Sequence, residues 1–395
     1  MLTGPKTGFT IIDTNTGLAQ DLGNRYISKD YLIDVYPNLL PNKISPGLWA
    51  CGYNAQAALG LGNTVSYSSP VQIGSLNNWK QVSCSGSNTA MLKVDGSIWT
   101  CGYGLYGRLG VGNASSYSSP VQVGTNTNWR QISSGSVHMG AITQDNTLFV
   151  WGGNSAGVLG NGTRTDYNSP IQFSSTSDWK FVHAGNNTIH AIKLNGTLWA
   201  CGDNSGIAIG NSSSSSYSSP IQIGSLTNWK SISSNSHTLA IKTDNSLWGW
   251  GYNPYGEVGA SGGYSSPVQI GTLTNWKQVS CGFEHSLAVK QDGTLWGWGR
   301  NHIGQLGNNI INTYYASPIQ IGSLTNWKQV SCGNGCSVAL KTDGTIWGWG
   351  SNTSGQLGLP IITVYYSSPV QIGSLTTWKQ VSISNQLMAI SDGYL

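Results

Sequence analysis

The chain has 395 residues, a formal net charge of +4 and 9% charged residues, far below the roughly 25% of an average soluble protein. Gly (53), Trp (17) and Tyr (18) are abundant, and Ser, Asn, Thr and Gln supply the polarity, a composition of short strands and tight turns rather than long surface helices. The even spread of aromatics excludes disorder, the lack of any Lys/Arg run argues against a nucleic-acid surface, and no run of about 18 apolar residues predicts a membrane span.

Residues 1–46 contain no Trp, while the remainder holds all 17. They carry four basic and four acidic residues, a density roughly twice that of the rest. The segment is too short for its own core. It is predicted to be an N-terminal arm, either extended along the main body or a docking segment that orders on binding, with Phe9, Ile11, Tyr31 and Tyr36 as its candidate contacts.

From residue 47 the chain repeats. Ser-Ser-Pro or a close variant ends at Pro70, Pro120, Pro170, Pro220, Pro267, Pro318 and Pro369, at spacings of 50, 50, 50, 47, 51 and 51. A Trp followed by a cation keeps phase with it at Trp79, Trp129, Trp179, Trp229, Trp276, Trp327 and Trp378. So does an aromatic shortly before a Gly, from Trp49 to Trp347. The first complete unit holds four strand candidates, PVQIG (70–74), WKQVS (79–83), AMLKV (90–94) and SIWTCG (97–102). Asp95-Gly96 between the last two is a hairpin signal, and its equivalents recur at 145, 195, 244, 292, 343 and 392. Four antiparallel strands per unit of about 50 residues describe a propeller blade. The final unit lacks its fourth strand, and GLWACG (47–52) supplies it. The predicted fold is therefore all-β: a seven-bladed β-propeller of four-stranded blades over 47–395, closed by strand 47–52 completing the last blade. Closure removes exposed sheet edges.

The pattern G-x-x-H-x-x-A, then D-G-x-L-W-x-W-G-x-N, then G-Q-L-G is best developed at 282–307, GFEHSLAVKQDGTLWGWGRNHIGQLG. It resembles the regulator of chromosome condensation repeat, a seven-bladed propeller, and the resemblance covers residues 47 to 395. It implies protein binding, chromatin association or nucleotide exchange on a small GTPase. The surface loops on which exchange depends have no match here, so exchange is not carried over.

Cys281, Glu284 and His285 stand within five residues and raise the question of a catalytic cluster. Across the units the His285 position reads Asn88, His138, Thr188, His237, His285, Cys336 and Gln386, and the Cys281 position reads Cys84, Ser134, Ala184, Ser234, Cys281, Cys332 and Ile383. A rotating substitution marks a structural address, with His hydrogen-bonding between blades, rather than one arranged constellation. The seven cysteines read as small buried hydrophobes, and Cys332-x-x-x-Cys336 alone is poor evidence for a metal or a disulfide. No catalytic, cofactor or metal site is predicted. Two series of cations, Lys80 and its equivalents and Lys93, Lys193, Lys242, Lys290 and Lys341, read as stems packed beside Trp with wet ammonium groups, the alternative being an anion-attracting ring.

Partner choice is sought where the repeats vary. After each W/C-G the loops offer Tyr53, Tyr103, Tyr106, Arg108, Tyr252, Tyr255, Arg300 and His302, residue types suited to protein contacts. A second variable loop becomes apolar at Ile310, Ile311, Ile361, Ile362 and Val364, forming an exposed patch or mutual cover. A short docking arm ahead of a polar, weakly charged β-domain also resembles, in organisation, bacteriophage tail and virion surface proteins. The leading expectation is thus a non-enzymatic virion structural or attachment protein on the particle surface. Its arm would bind other virion proteins and its loops a host surface protein or glycan, without nucleic acid. The alternatives are a cytoplasmic interaction regulator of the chromosome-condensation type and a carbohydrate-binding propeller.

Overall fold

The computed structural model describes residues Thr10–Ile12, Ala19–Asp21, 47–360 and 364–392. The chain divides into two compact units, Met1–Ser45 with Gly393–Leu395, and Pro46–Asp392. In the first, Thr10–Ile12 pairs antiparallel with Ala19–Asp21. Phe9, Tyr31 and Tyr36 lie outside the described residues, and Ile11 is described only as a position in the first of these strands.

The second unit is seven four-stranded antiparallel sheets. Blade 1 runs from its inner strand Trp79–Cys84 through Asn88–Lys93 and Ile98–Gly102 to its outer strand Tyr117–Gln122. Blades 2 to 6 begin likewise at Trp129, Trp179, Trp229, Trp276 and Trp327. Blade 7 joins the two ends of the propeller: Trp378–Ile383 and Gln386–Ser391 are followed by Gly47–Gly52 and then Tyr67–Ile73. Closure by 47–52 therefore holds, and a second N-terminal strand joins it. The Pro-bearing strand pairs back onto the Trp strand of its own blade, as Trp99↔Gln122 does, rather than forward onto the next Trp-cation strand. A sequence period cannot reveal that phase.

Local chemistry explains each strand end. The hairpin turns place positive φ on one residue, 81° at Gly96 and 66° at Asn146, while Asp95 Oδ1 accepts the Ser97 amide at 2.8 Å. That is a type I turn followed by a left-handed residue, which explains the Asp/Asn then Gly/Asn preference. The third strand of every blade carries a Gly with φ between 84° and 113°, at its end in five blades and one or two residues before it in blades 5 and 6. A Cβ on Gly102 would lie 2.5 Å from the Ser87 carbonyl oxygen, so all seven positions are Gly.

The core lies between blades. Leu239, Ile241, Leu247 and Ile270 pack against Trp276, Val279, Ala288 and Trp298 of the next blade. Toward the axis the inner strands clasp one another. Gln81 Nε2 donates to Ile132 O at 2.8 Å while its Oε1 accepts Ile132 N at 3.1 Å. Gln131, Gln278, Gln329 and Gln380 repeat this onto the following blade, and Phe181 and Ser231 interrupt it in blades 3 and 4. These strands enclose a polar axial cavity of about 590 Å³.

The two lysine series separate. In each inner strand the cation after Trp is the extra residue of a register shift, as between Trp79 and Gln81, and six of the seven are exposed. Lys93, Lys193, Lys242, Lys290 and Lys341 are instead inserted between two Trp rings. Lys242 Nζ lies 3.3 Å from the Trp248 centroid and 5.0 Å from that of Trp229. Their ammonium groups are thus not simply wet, and cation–π attraction replaces part of the lost hydration.

Candidate partner-binding face

Strand direction gives the propeller a loop face, holding the connections from third to outer strand and the hairpins after the inner strands. An Asn, buried in five blades and half-buried at Asn253, organises six of the seven loops. Asn54 Oδ1 accepts Leu59 N at 2.9 Å while its Nδ2 donates to Val65 O at 2.9 Å, and Asn154, Asn204, Asn253, Asn301 and Asn352 act similarly. Blade 1 has Gly104 there instead, and the loop tightens into a short 3-10 turn, Leu105–Gly107, with Tyr106 at φ 64°.

The predicted loop residues do not behave alike. Tyr53, Tyr106, Tyr252 and His302 are exposed on this face. Arg108 is only 5% exposed: Nε donates to Leu105 O at 3.0 Å and Nη1 to Ser136 O at 2.9 Å, with the half-buried Tyr103 and the Tyr106 ring beside the guanidinium. It ties blade 1 to blade 2 rather than facing outward. Arg300 pairs with Glu284 and lies 4.8 Å from the Tyr255 centroid, and Tyr255 meets Tyr314 edge-on at 6.3 Å. This gives a Tyr–Arg–Glu cluster spanning blades 4 and 5. Next to it a cavity of about 330 Å³ is lined by Asn186, Asp203, Asn235, Tyr252, Phe283 and Glu284. Phe283 and Tyr314 were not candidates from the sequence. Phe283 sits in a hairpin whose variation was a usable signal, and Tyr314 hides beside the recurrent Tyr315. Ile310 and Val364 are exposed and Ile311 half-buried, while Ile361 and Ile362 lie outside the described residues.

Cys281, Glu284 and His285 face three different partners. Cys281 Sγ donates to Ser233 O at 3.1 Å, Glu284 holds Arg300, and His285 Nε2 pairs with Ser337 Oγ of the next blade at 2.8 Å. His138 and His237 likewise reach Thr188 O and Ser286 Oγ. All seven cysteines are free, and burial pushes the thiols up, to about 12 for Cys84 and Cys332. Among the described residues no group of three His, Cys, Asp or Glu side chains is placed to hold a metal. Burial holds His285 and His237 down to about 3 and His138 to about 4, so their contribution to stability is full at neutral pH and declines as pH drops below the usual imidazole range. His285→Ala is expected to cost about 1–3 kcal/mol in denaturant unfolding and to leave partner binding unchanged.

Glu257 stands where blades 5 and 6 have Gln305 and Gln356. Oε2 accepts Tyr255 N at 2.9 Å, as Gln305 Oε1 accepts Ile303 N, but Oε1 has no partner where Gln carries its amide nitrogen. Burial, and then the Glu284 charge, raise its carboxyl to about 7. The folded state thus holds a proton that the unfolded state releases, so stability falls as pH rises from the usual carboxylate range toward 7. Glu257→Gln is expected to add about 2 kcal/mol above pH ~7 and little near pH ~4, read from unfolding curves at both.

The regulator of chromosome condensation (RCC1) repeat model matches residues 47–92, 95–142, 145–192, 244–289, 292–340 and 343–390. This chain belongs to the RCC1 repeat family. A second model of the same repeat matches 276–305 and 327–356. Prp20p from Saccharomyces cerevisiae, described with its binding properties to Gsp1p and histones, shares the fold at a TM-score of 0.80 and 19% identity, over 88% of this chain and 92% of that one. Human WBSCR16 does so at 0.77 and 18%, over 89% and 100%. Yeast RCC1 (Prp20) bound by Kap60 does so at 0.79 and 19%, over 91% of each chain. No curated protein matches.

Membership of the RCC1 family corrects the virion expectation. The polar, weakly charged β-domain that suggested a phage tail protein is instead a set of RCC1 repeats. With that reading go its virion location and its virion-protein, host-surface and glycan partners.

Proposed function

We propose that this chain is a protein-interaction propeller of the RCC1 type, a binding scaffold rather than a catalyst, that engages a small GTPase or a histone surface. The observation that carries this is the fold shared with Prp20p across nearly the whole of both chains. The loop face supports it, since the Tyr255–Arg300–Glu284–Tyr314 cluster joins rigid aromatic anchors to charge, the chemistry of a protein interface hot spot. Tyr53, Tyr106, Tyr252, Tyr255, Arg300 and His302 are assigned as contacts, and Arg108 and Tyr103 as supports. The test is capture of purified Gsp1p-type GTPase, with and without nucleotide, and of core histones by the full chain. Binding lost in Tyr255→Ala and Arg300→Ala but kept in His285→Ala is expected. Binding of neither protein overturns the proposal.

A further inference from the structure

The opposite, turn face has a different character. It holds the hairpin turns and the connections that lead into each new inner strand. Twelve of the propeller's fifteen cations and seven of its eleven carboxylates lie there, a net +5, against −1 on the loop face. One cation follows the Trp at the turn-face end of each inner strand, and of these Lys277 lines the axial cavity. Among the described residues, Lys80, Lys180, Lys277 and Lys328 are exposed and have no ion-pair partner.

Five consecutive connections carry Leu at the same place. Leu76, Leu226, Leu273 and Leu324 are 42% to 49% exposed, and Leu375 is half-buried. Each follows, two residues on, a Gly with φ between 58° and 65° where an added Cβ would meet nothing within 4 Å, so the connections stand clear at that point. Val94 and Leu194 add exposed apolar side chains at the hairpin turns of blades 1 and 3.

Equivalent positions in a rotationally repeated blade lie in one plane. A flat partner engages all of them together, whereas a compact protein meets only a few. The cations are Lys in six blades of seven, a residue depleted at protein interfaces, where Arg is enriched. Nucleic acid satisfies lysines and gives leucines nothing. Projecting apolar tips around a basic ring match the chemistry of an anionic membrane surface, where apolar groups enter the interface and cations meet lipid headgroups.

We infer that the turn face docks on a planar anionic lipid bilayer, with the Leu connections entering the interface and the lysine ring lying against the headgroups. This is independent of the partner assigned to the loop face. The experiment is sedimentation of the full chain with phosphatidylcholine vesicles, with and without phosphatidylserine. Binding only with phosphatidylserine, weakened by salt, is expected. A triple variant, Leu226→Ser with Leu273→Ser and Leu324→Ser, should bind about tenfold or more weakly while unfolding like the parent. Lys80→Gln with Lys277→Gln and Lys328→Gln should reduce the dependence on phosphatidylserine. No binding to phosphatidylserine vesicles overturns the inference, and so does full binding by the leucine variant. Retention on DNA or an acidic peptide that depends on the lysines but not the leucines, without vesicle binding, assigns the face to a soluble polyanion instead.

Discussion

Deletion of residues 47–52 is expected to abolish cooperative unfolding of the propeller. Leu48, Ala50 and Cys51 in this strand are fully buried, and the strand pairs on both sides, Trp49↔Ala389 with Gln386–Ser391 and Trp49↔Gln72 with Tyr67–Ile73. Its loss strands the outer strand of blade 7, opens two hydrogen-bonding edges and uncovers the apolar seams that blade 7 shares with blades 6 and 1. Such a loss is comparable with the whole stability of an ordinary domain, about 5–15 kcal/mol. Thermal and urea unfolding followed by Trp fluorescence should show a broad transition without a native baseline, and proteolysis should be rapid. A truncated chain that unfolds like the intact one removes the two-plus-two closure of blade 7.

Trp298→Ala is the most damaging single substitution expected on the loop-face side, costing about 3–5 kcal/mol. The ring is fully buried, packs against Trp276 at 6.2 Å between centroids, and donates from Nε1 to Glu257 O at 2.7 Å. It therefore supports the loop that presents Tyr255, and partner binding should weaken with stability. Blades 7, 1 and 3 carry Cys51, Cys101 and Cys201 at this place. At Cys201 the volume is made up by Phe173, whose counterpart beside Trp298 is Ile270. Trp298→Cys combined with Ile270→Phe should thus recover about 1 kcal/mol or more over Trp298→Cys alone, measured by urea unfolding. No recovery means the seams are filled by backbone adjustment and not by exchange of side-chain volume.

Much of this was legible because a repeat states each rule seven times. The Trp-cation, Ser-Ser-Pro and Asp-Gly series located the strands, and the unfinished final unit announced the closure. What stayed hidden was relational. The Pro strand's allegiance to the preceding blade is a matter of pairing, which a period does not contain. Arg108 looked like a contact because it varies, yet the carbonyls of Leu105 in its own loop and Ser136 in the next blade draw its guanidinium inward. Variation marked Tyr255 and Arg300, but only the fold brings Glu284 and Tyr314 to them from other elements. The charge asymmetry between the faces was equally silent in a net charge of +4, because it depends on strand direction.

The glutamine clasps are not uniform around the ring. They bridge blades 5, 6, 7, 1, 2 and 3 in succession and fail on both sides of blade 4, where Phe181 and Ser231 stand and His183 Nε2 to Ser234 O is a substitute on one side. Blade 4 lies across the ring from blade 7, where the two ends of the propeller are latched. The molecule is thus a bracelet whose fastener keeps its glutamine clasps and whose opposite link has lost them, holding across blades 4 and 5 by bonds such as Cys281 N to Ser233 Oγ at 3.0 Å. Strain on the ring, from heat or from a partner gripping its loops, should be released first at blade 4, which would flex as a hinge while the fastener stays shut.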